Sequence, residues 1–181
     1  MIRLIFTIFI AINSLFVAAN EFPDPPGGFT WVEFDAGKSA FLKPDGWHLK
    51  VESKNGTEAL FITKESIESE GRFDTGLTVN YISGVKAKTG VIASQYAQAF
   101  LSRAEDKHTR LKSFKSEIGE NITGFGLRVR LDREPAQIVH YFLVADDEAD
   151  SLRIIMFESP GASWESAWVI GQQLLKGQMW R

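Results

Sequence analysis

From residue 29 onward, apolar and polar side chains alternate with a period of two over most of the chain. Residues 30–35, TWVEFD, read as a first strand, and Asp35, Ala36 and Gly37 turn it. Residues 39–42 form the next, followed by Pro44, Asp45 and Gly46, which suit a tight turn. Beyond that turn Trp47, Leu49 and Val51 alternate with His48, Lys50 and Glu52. The pattern predicts a half-buried strand with the first set in the core and His48 facing solvent. Asn55-Gly56 is the strongest short hairpin signal in the chain, and residues 58–65 return from it. Residues 66–74 read as a charged loop, and 76–83 as a strand with Leu77, Val79 and Tyr81 on one face.

The period then changes. Ile92, Tyr96, Ala99 and Phe100 recur at helical spacing within residues 89–104, with Thr89 as the expected N-cap. Strands resume at 109–118 and 124–131. In the second of these Phe125, Leu127, Val129 and Leu131 point inward, and Arg128 and Arg130 outward. Residues 136–145 and 151–158 are apolar on both faces and are joined by the acidic turn 146–150. A second helix is predicted over 163–176, with Trp164, Ala167, Trp168, Gly171 and Leu175 on one stripe and Gly177 as the C-cap. Strands that are apolar on both faces require cover on both. The expected fold class is therefore α+β, an antiparallel β-sheet flanked by helices on both faces.

The N-terminus adds a location. Arg3 precedes a run from Leu4 to Val17 that is apolar apart from Thr7, Asn13 and Ser14, and Val17-Ala18-Ala19 supplies small residues for cleavage. Residues 1–19 read as a signal peptide cut after Ala19. A membrane anchor is the competing reading, but the run is short and interrupted for a span of about 20 residues. The mature protein is thus expected to be periplasmic or secreted, with no stable membrane span. Residues 20–28 form a Pro/Gly-rich leader, and residues 29–181 a single domain, as the length of 181 residues favours.

The chain is 44% hydrophobic with a net charge of −3, which supports a packed core and argues against disorder. Nucleic acid is not an expected partner. The nearest thing to a basic patch, Arg128, Arg130 and Arg133, is broken by Asp132 and Glu134. There is no cysteine, which removes disulfides, thiol catalysis and thiolate metal sites together.

The order of these elements resembles the PsbP-like superfamily, which includes the DcrB and Mog types, and in particular its bacterial periplasmic members. The residues that carry the likeness are FLKPDGW at Phe41 to Trp47, GFGLRVRL at 124–131 and the block from Val139 to Pro160. The resemblance spans roughly Ser39 to Gly177. It implies an antiparallel sheet between helices, an α/β/α sandwich, and an accessory, binding or assembly role. It carries no catalytic, metal or partner residues to this chain, because no such motif matches here residue by residue.

Candidate chemistry is thin. His48 sits among solvent-facing residues. His140 shares a face with Ile138, Phe142 and Val144, where a neutral core imidazole is favoured over a pocket histidine of shifted pKa. His108, just past the helix, reads as a solvated or capping charge. The three show no metal-ligand spacing, and the acidic turn 146–150 lacks the pattern of a calcium loop. No G-x-S-x-G and no phosphate loop occurs, and Gly124-Phe125-Gly126 leads into a strand instead. No catalytic residue, cofactor or metal site is expected. Trp31 and Phe29 lie opposite Val32 and Phe34 on their strand, so one pair must be exposed or covered by the leader or a helix. Exposed aromatics are anchors for a partner.

The expected function is that of a monomeric, non-catalytic accessory or binding protein that recognises another envelope protein. The candidate contact residues are Trp31, Phe29 and His140. The alternative is a small-ligand or lipid-binding module with a cavity beside His140. A hydrolase with residues gathered from distant loops ranks last.

Overall fold

The computed structural model describes residues 22–54, 57–67 and 73–180. The expected signal peptide and its cleavage site lie outside the described residues, as does the Asn55-Gly56 turn. The chain begins with β1 (Phe29–Phe34), β2 (Ser39–Pro44), β3 (His48–Lys54), β4 (Thr57–Thr63) and β5 (Gly76–Ser83). Two helices follow, α1 (Val85–Thr89) and α2 (Ala93–Lys107). Then come β6 (Thr109–Gly119), β7 (Ile122–Leu131), β8 (Gln137–Asp146) and β9 (Ser151–Pro160). The helix α3 (Trp164–Lys176) and a short β10 (Met179–Trp180) complete it.

Seven strands form one antiparallel sheet in the order β3-β4-β5-β9-β8-β7-β6. The central pair β8 and β9 runs in unbroken register, from Gln137 opposite Pro160 to Asp146 opposite Ser151. Its two faces meet different covers. On one face Leu143, Ala145, Leu152 and Ile154 pack with Phe125 against Val85, Ala93 and Ala97 of α1 and α2. On the other, Ile155 and Phe157 join Leu60, Ile62, Leu77 and Val79 under Trp164 and Leu174 of α3 and Phe34 and Phe41. Both faces are thus covered over their centres, which is what strands apolar on both sides require.

The alternation predicts one sheet between helices, and here the structure differs. β1, β2 and β10 form a separate three-stranded sheet with β2 in the middle. Both edges of β2 are filled, by β1 from Phe29↔Pro44 to Phe34↔Ser39 and by β10 at Met179↔Ala40. No edge of β2 is left for β3, so β3 starts the larger sheet. One face of that sheet is therefore covered by helices alone, and the other by a helix and the small sheet.

The expected burial of Leu49 and Val51 is also corrected. They share a face with the fully buried Ile62 and Leu60, their partners across the β3–β4 pair. Yet they are 46% and 53% exposed, because β3 is the sheet edge and the cover ends at β4. Thr89 does not begin a helix. It closes α1, where its hydroxyl donates to the Val85 carbonyl at 2.7 Å. The buried stripe of α2 is Ala93 and Ala97, flanked by Tyr96, Phe100 and Leu101, while Ala99 is exposed. Gly177 is the C-cap of α3 with an ordinary φ of −82°. Glycine is needed there by close approach, since a Cβ would overlap the Leu42 side chain.

α2 has no side-chain cap of its own, because its N-cap is Ile92. The β8–β9 turn supplies the missing acceptors. Asp147 accepts the Ser94 N–H at 2.8 Å and the Ser94 hydroxyl at 2.6 Å. Asp150 accepts the Lys86 N–H at 2.8 Å, and its carbonyl accepts the Val85 N–H at 3.2 Å. Asp146 accepts the N–H groups of Glu148 and Ala149 within the turn itself. The acidic run is therefore a pair of long-range helix caps, which also favour the positive ends of both helices.

Removing the α2 cap should be costly. Asp147→Ala is expected to lower the unfolding free energy in urea by about 1–2 kcal/mol. Glu148→Ala, on the same turn, is expected to change it by less than about 0.5 kcal/mol.

Candidate functional site

The side chains that the fold leaves available gather where α3 meets β6, β7 and β8. Trp164 and Trp168, one turn apart on α3, stack at 5.1 Å with an interplanar angle of 15°. Both pack on Phe157 from the sheet below, at 6.0 and 5.9 Å. Gly171, one turn further, permits this approach, since a Cβ there would come within 2.7 Å of the Phe157 ring.

Arg128 reaches this stack from β7. Its guanidinium carbon lies 4.2 Å from the Trp168 centroid and 4.8 Å from that of Trp164. Alternation predicts Arg128 facing solvent, and that is corrected: it does point to the opposite face from Phe125 and Leu127, but α3 covers that face. The indole faces attract the cation and partly replace the water it loses. Burial still pulls the Arg128 pKa below its usual value, opposed by the carboxylate of Glu165. Its Nε is buried with no hydrogen-bond partner among the described residues.

His140 stands directly opposite Arg128 in the β7–β8 register. It is 7% exposed, and its ring lies 4.7 Å from Trp168. Burial, with the positive charges of Arg128 and Lys112, pushes its pKa down to about 4. The imidazole is thus neutral at pH 7, and its buried Nδ1 has no hydrogen-bond partner among the described residues. It does not line the cavity of about 470 Å³ that begins two residues further along its face, at Phe142 and Val144.

Phe114 closes the cluster from β6. It stacks at 6.4 Å on both His140 and Phe142, and lies across Gly126, where a Cβ would overlap its ring. Ile118 crosses Gly124 in the same way. Even so, Phe114 is 42% exposed and Ile118 53%.

Two cavities flank this region. One, of about 470 Å³, lies between the β6–β7 hairpin and the end of α3, with Phe142, Val144 and Arg153 among its lining residues. The other, about 530 Å³, lies at the far end of β8 and β9, lined by Asp74, Arg133, Gln137 and Glu158. There burial holds the Glu158 carboxyl above its usual range, opposed by Arg133 and by a hydrogen bond from Gln137.

Trp31 and Phe29 belong to the small sheet, apart from His140 in the large one. Neither is a bare anchor. The Trp31 indole donates to the Pro23 carbonyl at 2.7 Å and stacks on Phe22 at 5.5 Å, so the leader covers it. Phe29 packs half-buried on the core. His48 is exposed, and His108 is the C-cap of α2. No group of three or more His, Asp or Glu that could hold a metal occurs among the described residues. No helix among them is long and apolar enough to cross a membrane.

Arg128 and Phe114 are the site residues that the alternation misses. A signal for them existed. Two glycines at alternate positions of one strand, Gly124 and Gly126, mark a face on which neighbouring side chains lie flat.

The depressed pKa of His140 makes stability depend on pH. The unfolded chain takes up this proton near pH 6.5 and the folded chain only near 4, so native stability falls as pH drops through that window. Between pH 7 and pH 5 the loss should be about 2 kcal/mol. In urea titrations, His140→Phe is expected to retain the ring and remove this part of the acid sensitivity.

No protein-family model matches the sequence, and no curated protein matches it. Solved structures do. Cyanobacterial PsbP (CyanoP) from Synechocystis sp. PCC 6803 aligns with a TM-score of 0.55 at 10% identity, over 91% of this chain and 99% of that one. The Saccharomyces cerevisiae Ran-binding protein Mog1p aligns with a TM-score of 0.52 at 14% identity, over 83% and 94%. At such identities the likeness is one of architecture. The sheet order, the helices on its two faces and these alignments together make this the PsbP-like α+β fold.

Proposed function

We propose that the chain is an exported, non-catalytic binding protein that acts by protein–protein recognition, and that β6 is the surface its partner meets. The observation that carries this reading is β6 itself. It is an edge strand of 11 residues, all of them exposed. Leu111, Phe114 and Ile118 are 47%, 42% and 53% exposed along it. Edge strands are commonly guarded by lysines and bulges, and β6 has Lys112, Lys115 and two register shifts against β7. Guarding alone does not call for three large apolar side chains in water. An exposed aromatic backed by a rigid cluster is what a hot spot requires.

The partner that fits is another envelope protein with an apolar surface bordered by carboxylates, to meet Lys112 and Lys115. Export rests on the pattern of residues 1–19. The free chain is a monomer on this reading. Mog1p, which has the same fold, is described as Ran-binding, so the architecture is compatible with binding a protein.

The test is site-specific photocrosslinking of the full chain in its own cells, with the crosslinker at Phe114 or at Leu49 on the opposite sheet edge. A discrete crosslinked protein is expected from position 114 and not from 49. Phe114→Asp and Lys112→Glu should each weaken its capture, the first by about 30-fold or more; because Phe114 also packs on His140 and Phe142, Lys112→Glu is the variant expected to do so with unchanged thermal melting. Equal crosslinking from both edges, or no loss in either variant, would overturn the assignment.

A further inference from the structure

We propose that the cavity between the β6–β7 hairpin and the end of α3 binds a single-chain amphiphile whose head carries one negative charge, the chemistry shared by a fatty acid and an anionic lysophospholipid. Its volume, about 470 Å³, is in the range of small-molecule sites. Phe142 and Val144 line it from β8, Ile118 and Ile122 from the hairpin, and Leu175 from α3. These side chains suit an acyl chain and offer it no polar atom.

The remaining lining is polar, and it specifies the head. Arg153, Lys176 and Asp146 sum to one positive charge. Burial pulls the Arg153 pKa below its usual value, opposed by Tyr81, over whose ring it lies at 5.4 Å, and by the Asp146 carboxylate. Lys176 is therefore the surplus cation, and no ion pair involves it among the described residues. One anionic group on the ligand balances the site. Gln178 closes one wall of the cavity without addressing the ligand: its amide Nε2 donates to the Leu175 carbonyl at 2.8 Å, and its Oε1 is out of reach of solvent.

The experiment is calorimetric titration of the full chain with 1-dodecanoyl-lysophosphatidylglycerol, dodecanoate and dodecyltrimethylammonium below their micellar concentrations. The expected result is one site for each of the two anions and none for the cation, the tighter of the two anions identifying the source of the head group. Lys176→Glu should weaken the lysolipid about tenfold. Val144→Phe should abolish binding of both anions by filling the cavity, and the exposed Lys176→Glu keeps the test decisive if that variant folds poorly. Lys112→Glu, which weakens the proposed protein surface and lies outside the cavity lining, should leave lysolipid binding intact, so the two proposals fail separately. Absence of binding, equal binding of the cation, or binding indifferent to Lys176→Glu would overturn the assignment.

Discussion

Neither face of β8 or β9 tolerates water, and the other elements are arranged around that constraint. Ile155 and Phe157 point one way and Leu143, Leu152 and Ile154 the other, and all are buried. At about 25 cal/mol per Å² of apolar surface, leaving either face open would erase much of a domain's net stability. α1 and α2 close one face, and α3 with the small sheet closes the other. Each cover is finite. At β3 it has run out over Leu49 and Val51, and at β6 it has run out on both faces. The surfaces open to other molecules are thus a geometric remainder of how the centre is buried.

The same hairpin that forms the centre also holds a cover in place. Its acidic turn reaches over to cap α1 and α2 through Asp150 and Asp147, so the carboxylates are spent on helix N–H groups of this chain. On the opposite face the arrangement is costlier. Arg128 and His140 are taken out of water between strands and α3, and two indoles and a phenyl ring enclose them. Aromatic faces compensate the guanidinium in part, and the imidazole stays neutral. This cluster backs Phe114 with rigid neighbours.

The strand order of hydrophobic faces, the two long helices and the need for double cover were all legible, because period and burial are linked directly through the pleat and the helical turn. Other features were not. Whether β2 joins β3 or forms its own sheet depends on β10, whose two residues carry no pattern of their own. Leu49 and Val51 alternate as core residues do, but a strand cannot show in its own sequence that it sits at an edge. Thr89 has a helix starter's side chain, yet the N-terminus of α2 is capped from 53 residues away. Arg128 reads as outward because alternation gives the face and not what covers it. Trp31 stood out as a candidate anchor because nothing local reveals that Pro23 and Phe22 fold back on it.

The central claim is that cover ends at β6 and leaves it open to a partner. Amide hydrogen exchange on the isolated full chain tests this most directly. The account predicts slow exchange throughout β8 and β9, where every ladder is internal, and exchange faster by orders of magnitude at the outward-facing amides of β6. Protection of β6 comparable to that of β8 would mean that its edge is already occupied, by another copy or by a segment of the same chain. That result would contradict the account.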